Sequence, residues 1–129
     1  MVGGIVLTHG NIGTALIQAS ESILGEVDNI LGLSTMNLSL TDITAKLKQI
    51  ISSQQWEDGT LIMVSLMGGS CWNAAVGLVR KLPKIEVVSG VNLTMLISFL
   101  SKRNYFSLSE LAEIIKNDGI KGIERHPEI

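Results

Sequence analysis

Two stretches of the chain carry residues whose type and spacing suit chemistry. The first is Gly3-Gly4-Ile5-Val6-Leu7-Thr8-His9-Gly10-Asn11-Ile12-Gly13, in which one imidazole sits between an apolar run and a glycine-flanked turn. The second is Gly68-Gly69-Ser70, at the start of a helical pattern. A neutral imidazole nitrogen accepts a phosphoryl group and passes it on when the other ring nitrogen is held in one tautomer and nearby N–H groups take the charge. Two glycines at a helix start let backbone N–H groups close around such an anion. The job needs one histidine and one anion cradle. The plainer alternative is a histidine that closes a turn and a glycine-rich βα loop with no guest, and only a shared position in the fold separates the two.

The elements that must position these residues follow from hydrophobic periodicity. Ile5 to Leu7 form a short apolar run bounded by glycines, as expected of a strand buried on both faces. Ile12, Leu16, Ala19 and Ile23 then repeat at helical spacing. His9 therefore falls at a strand's C-terminal tip beside a helix N-terminus, where ligands bind in open parallel sheets. Asn29 to Ser34 read as a second strand whose tip carries no acid, and Thr35 to Leu40 lead into a helix from about Thr41 to Ser53, with Ile43, Leu47, Ile50 and Ile51 on one face.

After the turn signal Asp58-Gly59, Leu61 to Leu66 form a third strand. The helix behind Gly68-Gly69-Ser70 is expected from about Cys71 to Lys81, with Trp72, Val76 and Val79 inward and Pro83 close behind its end. Ile85 to Val88 make a fourth strand. Asn92 caps a helix whose Leu93, Leu96, Ile97 and Leu100 share a face. Ser107-Leu108-Ser109-Glu110 fits a capping box and opens a fifth helix to about Asn117, with Leu108, Leu111, Ile114 and Ile115 as its stripe. Ile120 to Ile123 are expected as a brief edge strand.

This alternation predicts an open three-layer α/β fold: a four-stranded parallel sheet in the order 2-1-3-4 with helices on both faces. The switch point then lies between strands one and three, which sets His9 beside the loop from Ser65 to Cys71. The 129 residues suit one domain, and 46% hydrophobic residues fill its core. Ten Lys and Arg against twelve Asp and Glu, spread without a basic stripe, argue against nucleic acid as a partner. One cysteine excludes an intrachain disulfide, the N-terminus lacks the features of a signal peptide, and the most apolar window, Met95 to Leu100, is too short to cross a bilayer. A cytoplasmic protein without direct membrane insertion is expected.

Several chemistries fail on spacing. Gly10-Asn11-Ile12-Gly13 lacks the first glycine of a dinucleotide fingerprint, and no Gly-Lys-Ser/Thr loop is present. Gly68-Gly69-Ser70-Cys71-Trp72 approximates the segment around a papain-type nucleophile, but that family's histidine lies roughly 130–150 residues downstream. Cys71 is expected as a small buried residue. A Ser-His hydrolase pair lacks both the G-x-S-x-G elbow and an orienting carboxylate. Two histidines near opposite ends and one cysteine form no metal site, His126 reads as a solvated tail residue, and no cofactor is expected.

Taken together, Ile5-Val6-Leu7-Thr8-His9-Gly10, Gly68-Gly69-Ser70 with Asn73-Ala74-Ala75, and Gly90-Val91-Asn92-Leu93 followed by Met95-Leu96 resemble, over essentially the whole chain, the IIA domain of the mannose family of the bacterial phosphoenolpyruvate-dependent sugar phosphotransferase system. The resemblance implies that residues 1–129 are one such domain and that His9 takes a phosphoryl group on its ε nitrogen from the phosphocarrier HPr, passing it to a IIB domain. It also implies that Gly68, Gly69 and Ser70 hold the phosphate, with Thr8, Gly10 and Asn73 in support, and that the protein is a homodimer in which a C-terminal strand, here Ile120 to Arg125, crosses to the partner's sheet.

This chain departs from the family pattern in two places. Ser65 stands where the family has an aspartate that orients the histidine; a hydroxyl still reaches the δ nitrogen but does not stabilise a positive imidazole as a carboxylate does. Cys71 replaces the usual proline and frees one backbone N–H. Three readings stay open at this level: a phosphoryl carrier in sugar uptake, a regulatory protein whose phosphorylation state controls a partner, and a non-reactive anion-binding module.

Overall fold

The computed structural model describes residues 1–128. Four parallel strands, β1 (Gly3–Thr8), β2 (Ile30–Ser34), β3 (Thr60–Val64) and β4 (Ile85–Ser89), pair in the expected order β2-β1-β3-β4. The five helices are α1 (Ile12–Leu24), α2 (Leu40–Gln54), α3 (Ser70–Val79), α4 (Leu93–Lys102) and α5 (Leu108–Lys121). The open α/β fold is thus the predicted one. The register pairs Leu7 with Leu33 on one side and with Val64 on the other, so the tips of β1, β2 and β3 end level with one another.

All residues of the central strands β1 and β3 are buried. Their side chains alternate between two cores, as the two-residue pleat requires. Val6, Leu61 and Met63 pack with Leu96, Phe99 and Leu111 from α4 and α5. Ile5, Leu7, Ile62 and Val64 pack on the other face with Ile43 and Leu47 of α2 and with Leu78 of α3. Each fully buried Leu or Ile stabilises the fold by roughly 1.5–3 kcal/mol relative to exposure, so a sheet covered on both faces makes a rigid base for the strand tips.

Helix starts follow the capping chemistry. Ser39 and Ser107 each form a complete capping box, with Asp42 and Glu110, and the Asn92 side chain accepts from the Met95 N–H at 2.8 Å. The buried faces depart from expectation in two helices. In α3 the inward residues are Cys71, Ala74, Ala75 and Leu78, while Val79 is exposed and Trp72 and Val76 lie at the margin. In α1, Ile12 and Ile23 are exposed, and Gly13, Leu16, Ile17 and Ser20 face the sheet. Both helices approach the sheet through small residues, which lets their backbones come close and turns the larger apolar groups outward.

The expected edge strand over Ile120 to Ile123 is not formed. Helix α5 continues to Lys121 and both isoleucines are exposed. The reason lies at Gly119, which is buried inside the helix; a Cβ there would sit 3.1 Å from the Met95 side chain, so glycine lets α5 close onto α4 where the sequence suggests a break. The Gly119 carbonyl also accepts from the Asn92 side chain at 3.1 Å.

Candidate functional site

Thr8, the last residue of β1, is fully buried, and its hydroxyl accepts the Gly13 N–H at 2.9 Å. This bond anchors the first turn of α1 to the strand tip. Gly10 has φ +65°, in the left-handed region that favours glycine, and turns the chain sharply between them. His9 is therefore lifted out of the sheet edge with its ring exposed to solvent.

The β1–β3 register brings its neighbour. Leu7 pairs with Val64, and the Ser65 N–H donates to the Leu7 carbonyl at 3.2 Å. Ser65 Oγ then lies 3.2 Å from His9 Nδ1. The loop after it passes through Gly68 at φ +85° to Gly69, the N-cap residue of α3. A Cβ on Gly69 would stand 3.9 Å from His9 Cε1. The loop backbone thus runs along the ring edge between the two nitrogens. The residues expected to share a crevice do so, and the pairing of Ser65 with the δ nitrogen is the one anticipated. Asn73 meets this loop only through its backbone, its N–H donating to the Gly69 carbonyl at 2.9 Å while its side chain is exposed.

The capping pattern singles out one helix start at this end of the sheet. Helices α2, α4 and α5 each have a side-chain cap, but neither Asn11 at α1 nor Gly69 at α3 makes one, and neither helix carries an acid in its first turn. These are the two helices that flank His9. At α1 the buried Thr8 hydroxyl takes the Gly13 N–H in place of Asn11, so among the described helices α3 is the one whose start no side chain caps, and its N-terminal N–H groups and dipole favour an anion beside His9.

The surroundings are open and apolar. Ile12, Met36, Leu66 and Met67 are 52%, 65%, 61% and 73% exposed. Met36 lies over Gly10, and the other three adjoin the His9 and Ser65 tips in sequence. A cavity of about 510 Å³, lined by Leu24, Asp28, Leu100 and Arg103 among others, opens at the opposite, N-terminal end of the strands and has no part in the His9 site. An exposed imidazole with an apolar rim suits a reactive group carried by another macromolecule better than a small substrate enclosed in a pocket. No cluster of potential metal ligands occurs among the described residues.

Sequence reasoning missed Thr35. It follows the tip of β2 and is buried against the Thr8 carbonyl, which accepts from the Thr35 N–H at 3.0 Å and from its hydroxyl at 3.3 Å. An isolated threonine in a loop gives no signal in the sequence.

The 2-1-3-4 parallel sheet with His9 beside Ser65 at its β1–β3 switch point is the arrangement expected from the resemblance to a sugar-phosphotransferase IIA domain. A crystal structure of phosphotransferase system component EIIA from Streptococcus agalactiae superimposes on the fold with a TM-score of 0.89, covering 97% of each chain at 24% identity. Residues 3–116 match the family model described as PTS system fructose IIA component. The sorbose-specific EIIA component of Klebsiella pneumoniae is 29% identical over 113 residues, spanning 88% of this chain and 83% of that protein. The fructose-specific EIIA component of Bacillus subtilis is 27% identical over 117 residues, spanning 90% and 80%. The chain belongs to the mannose, fructose and sorbose family of IIA components, which are phosphotransferase components of the sugar phosphotransferase system. No helix among the described residues is long and apolar enough to cross a membrane.

Proposed function

We propose that this protein is a cytoplasmic phosphoryl carrier of sugar uptake, a single domain over residues 1–129, and that His9 Nε2 is the acceptor. Ser65 Oγ lies 3.2 Å from Nδ1, and in the tautomer whose Nδ1–H donates to it the Nε2 lone pair is free for phosphorus. As the new N–P bond forms, the bond between phosphorus and its donor atom on phospho-HPr breaks and the electron pair stays with HPr. The reverse exchange delivers the group to a IIB domain. Backbone N–H groups at Gly69, Ser70 and Cys71 and the start of α1 take the phosphoryl charge, and the Ser65 hydroxyl holds the orientation of the ring. The observation that carries the reading is the His9–Ser65 pair set beside the start of α3, which among the described helices is the one without a side-chain cap.

The apolar rim of Ile12, Met36, Leu66 and Met67 supports docking of a protein rather than a free phosphate ester. A homodimer is supported by the family resemblance, and sedimentation velocity reads it directly. The test of the carrier role is intact mass after incubation with phosphoenolpyruvate, enzyme I and HPr. One phosphoryl group, stable in alkali, lost in acid and absent from His9→Ala, supports the carrier; no mass shift with the cognate donor set overturns it. Ser65 in place of an acid favours a second reading, in which phosphorylation reports to a partner rather than feeding transport. Transfer onward from the labelled protein to a IIB domain distinguishes the two.

A further inference from the structure

Cys71 is fully buried, and its Sγ lies 3.6 Å from Oγ1 of Thr35, a residue only 7% exposed. The thiol donates to the threonine hydroxyl, the hydroxyl donates to the Thr8 carbonyl at 3.3 Å, and the Thr35 N–H reaches the same carbonyl at 3.0 Å. The chain of contacts joins three elements: the tip of β1, the loop after β2 and the first turn of α3. At one end, Thr8 is the residue before His9. At the other, Cys71 is the second residue of the helix whose start runs along the His9 ring. Thr35 is the one side chain in this chain of contacts that bonds in both directions.

We propose that Thr35 is a positioning residue that sets the distance between His9 and the α3 N-terminus, with Cys71 as its far anchor. The proposal rests on the carrier reading of His9 for its effect on transfer, and on geometry alone for its effect on the ring. Neither Thr35 nor Cys71 touches the reacting atoms. Without the hydroxyl, the thiol and one lone pair of the Thr8 carbonyl lose their partner, and the two halves of the site are held only by the parallel ladder and the core beneath. A cradle built on backbone N–H groups tolerates little displacement, because donor and acceptor must meet at about 3 Å in the transferring state.

The experiment compares Thr35→Val, Thr35→Ser and Cys71→Ala with the native chain. It measures the rate constant and half-saturation for phosphorylation by phospho-HPr, the His9 ring signals by ¹H–¹⁵N NMR without phosphoryl donor, and the thermal midpoint. Valine keeps the shape and removes the hydroxyl; serine keeps the hydroxyl and removes the methyl. Thr35→Val is expected to lower the rate constant roughly tenfold while half-saturation stays within about twofold, and to move the ring signals. Thr35→Ser restores both. Native rate and native ring signals in Thr35→Val overturn the proposal whatever happens to the midpoint, and so does a serine variant as impaired as the valine one. If Thr35→Val does not fold, Cys71→Ala carries the test: moved ring signals in a variant that keeps a native-like fold support the strut, and unmoved ring signals overturn it. Because the ring signals need no phosphoryl transfer, an unlabelled native protein sinks the carrier reading without deciding the strut, which the spectra then decide.

Discussion

His9 Nδ1 and Ser65 Oγ face each other at 3.2 Å across the adjoining tips of β1 and β3, 56 residues apart in the chain. The neutral hydroxyl fixes ring orientation without adding charge. Replacing Ser65 with Asp places an anion at hydrogen-bond distance and favours the imidazolium, so the His9 ring should titrate at higher pH in Ser65→Asp than in the native chain. Ser65→Ala should show no such rise. NMR titration of the ring checks both, and an unchanged midpoint in Ser65→Asp means that the two side chains do not touch in solution.

The loop after Ser65 separates conformational from steric needs. Gly68 has φ +85°, where an added Cβ costs about 1 kcal/mol, whereas Gly69 has an extended backbone and room for a Cβ. Gly68→Ala should therefore lose about 1 kcal/mol of stability and slow labelling of His9, while Gly69→Ala should stay within about 0.5 kcal/mol of native. Chemical denaturation alongside the labelling assay reads the difference.

Thr8 takes over the capping role that Asn11 does not perform, since its hydroxyl accepts the Gly13 N–H inside a buried site. Thr8→Val keeps the shape and leaves that N–H without a partner, which should cost about 1–2 kcal/mol. Thr8→Ser should recover most of it. The comparison of unfolding midpoints in urea tests whether the bond, rather than the methyl group, holds α1 to the strand tip.

Acid should weaken the α4–α5 contact. The Lys102 ammonium and then the Ser98 hydroxyl, each 2.6 Å from Asp118, hold its carboxyl below the usual carboxylate range. A depressed folded-state pKa contributes stability that is fully present above the unfolded value and is lost as pH falls through the folded one. Asp118→Asn should thus be less stable than the native chain at neutral pH, with the gap closing below about pH 4. Unfolding midpoints measured from pH 7 down to pH 2 check the sign; a gap that persists unchanged in acid rules the ion pair out as its source.

The order of elements, the 2-1-3-4 sheet, the caps at Asn92 and Ser107 and the meeting of His9 with Gly69 were legible because each rests on local pattern or on a topological rule. Apolar runs and helical stripes mark strands and helices, and parallel crossovers leave few arrangements. The buried faces of α1 and α3 were not legible. Hydrophobicity points to Ile12, Ile23, Trp72 and Val79, but close approach to the sheet selects Gly13, Cys71, Ala74 and Ala75, whose merit is small size and not apolar area. The same holds for Gly119, which reads as a helix end and serves as a packing contact against Met95.

By itself the sequence determined that His9 stands at a strand tip beside Ser65 and Gly69, since residue type and spacing along one strand and one loop carry that information. Tertiary structure alone decided that Thr35 and Cys71 join the two halves of the site, that α5 runs on to Lys121, and that Thr8 caps α1 while the start of α3 beside His9 is left without a side-chain cap. The physical reason is that these depend on distances between elements remote in the chain. Such distances are set by how closely each helix settles on the sheet, and no local pattern encodes them.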